Sequence, residues 1–249
     1  MRPEELKKAT GQENYQKGAR LVLNEVLLNG DKGFWRKRIW LGRTKENENE
    51  KPAEIELGTS TRVIFLKIRR KLVARGKKGE ITQSTNEHNT VHDTVSVYEG
   101  GKEVFKGSAK DARLQYSDLR TVQVIYALLL HEAKPELVRL TLKGSSLGSE
   151  NKPEGVIDFY QYLSSFDKES ITDYETNLGV VQEHGMKDYY SATYERGEKV
   201  DEATTALVMQ NLEAVLEYTK KSDTREKVET PEREQIDYGD DISPEEIPF

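Results

Sequence analysis

Two stretches of this 249-residue chain set aromatic rings and cations at every second position. In FWRKRIWL, Phe34, Arg36, Arg38 and Trp40 share one parity, and Trp35, Lys37, Ile39 and Leu41 the other. In RVIFLKIRRKL, Phe65, Lys67, Arg69 and Lys71 stand opposite Ile64, Leu66, Ile68 and Leu72. Successive side chains of a strand point to opposite faces, so each stretch, when extended, carries one apolar face and one of rings and cations. Rings stack on bases at ~1–3 kcal/mol per base whatever the sequence, while cations follow phosphates with a salt-dependent affinity. That is the chemistry of a platform for single-stranded nucleic acid, with Phe34, Trp40 and Phe65 stacking and Arg36, Arg38, Lys67, Arg69 and Lys71 holding phosphates. The same alternation also fits rings that pack beneath a helix while the cations snorkel outward.

Three further segments bear on this surface. TVHDTVSVY puts Val91, Val95 and Val97 inward and His92, Thr94, Ser96 and Tyr98 outward, so Tyr98 extends the platform. In ARGKKGE, Arg75, Lys77 and Lys78 form either a basic loop that embraces a bound strand, as loops of oligonucleotide-binding barrels do, or a solvated turn. KDYYSATYER alternates Tyr190, Ala192 and Tyr194 with Tyr189, Ser191 and Thr193, a second stacking strip or, the favoured reading, a sheet surface tipped with hydroxyls.

Signals for catalysis are weak. His88 and His92 are four apart, a spacing that holds a metal on one face of a helix, but they lie where a loop enters a strand. LKGSSLGSE lacks the lysine placement of a phosphate loop, no serine sits in a nucleophile elbow, and there is no cysteine to serve as nucleophile, thiolate ligand or disulfide. Asp118, Asp173 and Glu175 are scattered carboxylates without a partner motif. No catalytic residue, cofactor or metal is therefore expected.

The elements that must position the platform are mainly strands. Period-2 alternation marks ARLVLNEVLL, FWRKRIWL, TRVIFLKIRRKLV, TVHDTVSVY, KEVFKG, LVRLTL and DYYSATYER. Gly100 and Gly101 in YEGGKE suit a two-residue hairpin turn. SDLRTVQVIYALLLHEA, apolar almost all round behind a capping Ser117 or Asp118, reads as a buried helix. GVIDFYQYLSSF and DEATTALVMQNLEAVLEYTKK are two more helices, the latter with Val208, Leu212, Val215 and Leu216 on one face. The polar stretch from Thr44 to Glu54 reads as a long loop. These elements make one α+β domain, mainly β with added helices and barrel-like in the manner of an oligonucleotide-binding (OB) fold, over residues 1–221. A charged, disordered tail over 222–249 follows it.

Charge is divided along the chain. The net charge is -6, yet residues 222–249 hold ten acids against Arg225, Lys227 and Arg233, which leaves the rest about neutral. Lys32 to Lys78 carries fifteen cations against five glutamates. Such polarity points to a polyanionic partner. No window is apolar enough to span a bilayer and no signal peptide is evident, so a cytoplasmic protein without membrane contact is expected.

The last residues, DYGDDISPEEIPF, resemble the acidic carboxy-terminal tip of bacterial single-stranded DNA-binding proteins, which ends in Ile-Pro-Phe. Ile247, Pro248 and Phe249 match that end, and Asp240, Asp241, Glu245 and Glu246 supply the acids, although Ile242, Ser243 and Pro244 separate the two acidic pairs. The whole layout looks more like phage single-stranded DNA-binding proteins, with a divergent OB barrel, extra helices and an acidic tail ending in Phe. The resemblance implies coating of single-stranded DNA during replication, recombination or repair, in the host cytoplasm if phage-encoded. It also implies capture of replication or recombination proteins by the terminal Phe. A strand-annealing or recombinase-loading protein, or a metal-dependent nucleic-acid enzyme, are the alternatives.

Overall fold

The computed structural model describes residues 22–40, 50–77, 79–131, 134–149, 151–185 and 187–224. Eleven strands form one sheet: β1 (Asn24–Asn29), β2 (Phe34–Ile39), β3 (Ala53–Gly58), β4 (Thr61–Arg75), β5 (Ile81–Thr85), β6 (Thr94–Glu99), β7 (Lys102–Ser108), β8 (Arg120–Leu129), β9 (Glu136–Lys143), β10 (Tyr174–His184) and β11 (Asp188–Lys199). Three α-helices complete the described fold: α1 (Ala109–Gln115), α2 (Phe159–Ser164) and α3 (Glu202–Thr224). The strand order is β3-β2-β1-β9-β8-β4-β5-β6-β7, antiparallel except where β1 runs parallel to β9. The expected mainly β, α+β class is what the chain adopts.

The sheet branches at β4. Its first residues pair with β10, its last with β5, and β8 runs along its other side. The β10–β11 hairpin curls back over the sheet until Tyr190 N donates to Gly30 O at 2.7 Å, in the β1–β2 turn. At that turn Gly33 has φ +69°, and a Cβ on it would meet the Tyr190 ring at 2.6 Å, so only glycine admits this approach. No ladder joins β11 to β1 among the described strands, and the sheet stays open.

The main core lies inside this curl. Val26, Trp35, Val63, Phe65, Ile125, Ala127, Val138 and Leu140 of the sheet meet Leu178, Ala192 and Tyr194 of the hairpin. Helix α2 adds Phe159 and Tyr162, and a capping box fixes its start, with Gln161 N donating to Asp158 Oδ1 at 2.7 Å and Asp158 N to Gln161 Oε1 at 2.9 Å. On the opposite face of the sheet, α3 covers Ile64, Leu66, Tyr126 and Leu128 with Val208 and Val215. A third cluster, under α1, joins Leu72 and Ala74 to Val95 and Val97.

Five expectations about the fold are corrected. The apolar run after Ser117 is not a helix but β8, buried on both faces: Ile125, Ala127 and Leu129 face the main core, while Val124, Tyr126 and Leu128 face α3. A short apolar run has no period that tells helix from doubly buried strand, and its β-branched residues favour the strand. The polar loop ends earlier than Glu54, because edge strand β3 begins at Ala53. Val91 is an exposed turn residue rather than an inward strand position. In β11, Tyr194 is a core ring stacked on Tyr162 at 5.7 Å, and the Tyr189 and Ser191 hydroxyls both donate to the buried Glu183, so this strand offers neither a stacking strip nor a hydroxyl surface. The expected hairpin at Gly100 and Gly101 is present, both at positive φ.

The fifth correction is the most consequential. Pairing of β4 with β8 shifts register between Phe65 and Lys67: Phe65 opposes Ala127, and Lys67 opposes Tyr126. This β-bulge resets the alternation. Phe65 turns into the main core at 0% exposure against Phe159, 6.4 Å between ring centres, and is unavailable for stacking on a base. Lys67, Arg69 and Lys71 go to the opposite face, the one α3 partly covers, because their cross-strand partners there are Tyr126, Val124 and Val122. Replacing Phe65 with Ala should cost about 3–5 kcal/mol of stability in a urea titration, as for other buried rings. A cost below about 1 kcal/mol would mean that the ring is not in the core.

Candidate nucleic-acid interface

Cross-strand neighbours share a face, so the ladders locate every expected contact residue. Arg38, Glu25, Arg139, Tyr126 and Lys67 follow one another across β2, β1, β9, β8 and β4. Beside this row run Thr141, Val124 and Arg69, then Lys143, Val122 and Lys71. Val73 pairs with Ser84, and Ser84 with Tyr98, which carries the same face into the β5–β6–β7 meander. Phe34 and Arg36, on the parity of Arg38, lie on it too. With Phe65 turned inward, Arg36, Arg38, Lys67, Arg69, Lys71 and Tyr98 occupy one side of one sheet.

Their surroundings sort them. Arg69 is 2% exposed; its Nη2 donates to the Glu87 carbonyl at 2.7 Å, and its Nε lies 3.8 Å from the Glu87 carboxylate. Tyr126 Oη donates to the same carboxylate at 2.8 Å, and burial first, then the Glu87 charge, push its phenol far above the usual value. Arg38, 5% exposed, pairs with Glu54 at 3.0 Å. These two arginines hold the fold together and do not present a phosphate site, which corrects their expected role. Arg36 shares Glu54 at 2.8 Å and is half-buried. Phe34, Trp40, Lys67, Lys71, Arg75 and Tyr98 are also half-buried, and Lys77 is exposed. Trp35, on the other parity of β2, is in the core as expected. Lys78 and the carboxy-terminal set Asp240, Asp241, Glu245, Glu246, Ile247, Pro248 and Phe249 lie outside the described residues.

One buried carboxylate organises the middle of the face. Glu25 is 0% exposed and accepts from Arg139 Nε at 3.0 Å, from Arg139 Nη2, and from the Trp40 indole Nε1 at 3.2 Å. Trp40 is held a second time by its backbone N, which donates to Asn24 Oδ1 at 2.7 Å. Its ring is thereby fixed at the edge of the face.

At the margin of the α3 cluster, which shares Val124, the face holds a small cleft of about 10 Å³. Lys71, Val73 and Arg75 of β4 form one side, Val122 and Val124 of β8 the floor, Arg139 and Thr141 of β9 the other side, and Ile81 the end. Arg75 is steadied by its Nη1, which donates to the Gly79 carbonyl at 2.7 Å. Three cations around an aliphatic floor make this part of the face basic. The β9 contribution was missed by the sequence reading, although LVRLTLK carries the signal: Arg139, Thr141 and Lys143 alternate with the core residues Val138, Leu140 and Leu142.

The two histidines stand apart. His88 is buried and exchanges backbone hydrogen bonds with Arg70, and burial above all lowers its imidazole pKa; His92 is exposed. Among the described residues, no group of three or more His, Asp or Glu side chains could hold a metal ion, and no helix is long and apolar enough to cross a membrane. No family model, curated protein or solved structure matches this chain.

Glu25 holds the Arg139 guanidinium and the Trp40 indole, Glu54 the Arg36 and Arg38 guanidinium groups, and the burial of those partners sets what each is worth. Glu25→Ala leaves the half-buried Arg139 and Trp40 side chains without their carboxylate and should cost about 1–3 kcal/mol. Glu54→Ala leaves Arg38, 5% exposed, as an uncompensated buried charge and should cost about 3–5 kcal/mol. Urea denaturation of the two variants checks the order; equal costs would contradict it.

Proposed function

We propose that this protein binds and coats single-stranded DNA with little sequence preference, and takes part in replication, recombination or repair as phage and bacterial single-stranded DNA-binding proteins do. The observation that carries the reading is the set of Lys67, Lys71, Arg75, Arg139 and Lys143, gathered from two strands onto one sheet face on either side of the β8 valines. A DNA strand laid across this face meets cations for its phosphates on β4 and β9 and rings at Phe34, Trp40 and Tyr98 for its bases. The curled, open sheet takes the part that a closed OB barrel plays elsewhere. The acidic segment ending in Ile247, Pro248 and Phe249 recruits partner proteins and leaves the basic face to DNA.

Titration with oligo-dT tests the reading. Trp40 fluorescence should be quenched, and log affinity should fall with log salt by roughly 0.7 per phosphate held. Lys71→Ala and Arg75→Ala should each weaken binding and lower that slope by about one phosphate's share. Absence of binding at low salt, or an unchanged slope in both variants, would overturn it.

The tail makes a second prediction. An acidic segment tethered to a basic face competes with DNA, so removing Asp237 to Phe249 should leave oligo-dT affinity unchanged or raise it. A loss of affinity would show that the tail is part of the DNA site.

A further inference from the structure

Helix α3 carries apolar side chains on two sides. Val208, Val215 and the buried Thr219 seat it on the sheet, and the half-buried Leu212 lies at the margin of that contact. Past Leu212, on a flank the sheet leaves open, Met209 is 51% and Leu216 43% exposed. A helix resting on a sheet by one face is ordinarily polar around the rest. Here Glu202, Thr205, Met209, Leu212, Leu216 and Lys220 follow one another at intervals of three and four, along one line of the helix, as residues of a coiled-coil seam do. The line is acidic at its start, apolar in its middle and basic at its end. We propose that it is a self-association surface, on which α3 of a second copy lies antiparallel to make a two-fold dimer.

Charge and pattern select a second copy, and its direction. Turned end for end about its middle, near residue 211, the line meets its own complement: Glu202 falls opposite Lys220, Met209 opposite Leu212, and Leu216 opposite Thr205, each pair formed twice. A patch that is its own complement is what a closed two-fold interface requires. A parallel arrangement would set Glu202 against Glu202 and Lys220 against Lys220. Asp201 is committed to capping the helix, accepting from Thr204 N at 2.7 Å, so Glu202 is the acid of the seam. An acid in the first turn and a cation in the last also suit the helix dipole, but the dipole gives no reason for exposed Met209 and Leu216 between them. A single helix pair lies at the small end of specific interfaces, below about 1,200 Å² in total, so the dimer dissociates in the micromolar range.

Sedimentation equilibrium of the full chain without DNA tests the proposal, and its outcome does not depend on DNA binding. The average mass should rise from one chain toward two between about 1 and 100 μM. Met209→Glu and Leu216→Glu each bury a carboxylate in the seam and should raise the dissociation constant by about tenfold or more. Their urea midpoints should stay near that of the wild type, because neither side chain belongs to a core cluster. Lys220→Glu should weaken the dimer, and adding Glu202→Lys to it should restore the wild-type constant. A wild-type chain that stays monomeric at about 100 μM would overturn the proposal. So would glutamate variants that associate as the wild type does, or a doubly reversed chain no tighter than Lys220→Glu alone.

Discussion

The bulge between Phe65 and Lys67 is the constraint on which the rest of the structure depends. Strand β4 has to do two things along its 15 residues: supply hydrophobic side chains to the curl beneath β10–β11 and supply cations to the opposite surface. An unbroken alternation would put Phe65 and the cations on one side, so that either the ring would be exposed or the charges buried. One extra residue resolves this. Val63 and Phe65 reach the main core, Ile64 and Leu66 meet α3, and from Lys67 onward the cations emerge on the α3 side while Leu72 and Ala74 supply the core under α1.

Burial then divides the cations by role. Arg38 and Arg69 are enclosed and answered by Glu54 and Glu87, and their work is to join β2 to β3 and β4 to the segment before His88. Desolvation makes such charges useful only where they are paired, so they stabilise a register and offer little to an incoming phosphate. Lys71 and Arg75 are only half-buried, and Arg139, although answered by Glu25, is half-buried too, beside the valines of β8.

Much of this was legible in the sequence. Strands β2, β4, β6, β7, β9 and β11, the glycine hairpin and helices α2 and α3 follow from period and turn chemistry. The joint placement of β2 and β4 cations follows less directly, because no residue type announces a bulge: Leu66 and Lys67 look like any apolar and polar pair in a strand. Strand β8 was hidden for the opposite reason, since a segment buried on both faces has no amphipathic period at all. The Arg139, Thr141 and Lys143 series was legible in LVRLTLK and shows that a few cations spaced by two, set against apolar neighbours, deserve the same reading as a strongly basic strand. Which arginines are enclosed could not be read, because it depends on Glu25, Glu54 and Glu87, which are distant in sequence from most of their partners.

The chain contains no cysteine, so a single introduced thiol reports on one place. Ile81, half-buried at the end of the cleft, and His184, exposed at the end of the β10–β11 hairpin, suit a footprint by thiol alkylation of Ile81→Cys and His184→Cys proteins with and without oligo-dT. If the cationic face of β4, β8 and β9 is where single-stranded DNA lies, oligo-dT slows alkylation at position 81 and leaves position 184 unchanged. Equal rates with and without DNA at position 81, under conditions where the DNA is bound, would contradict the account.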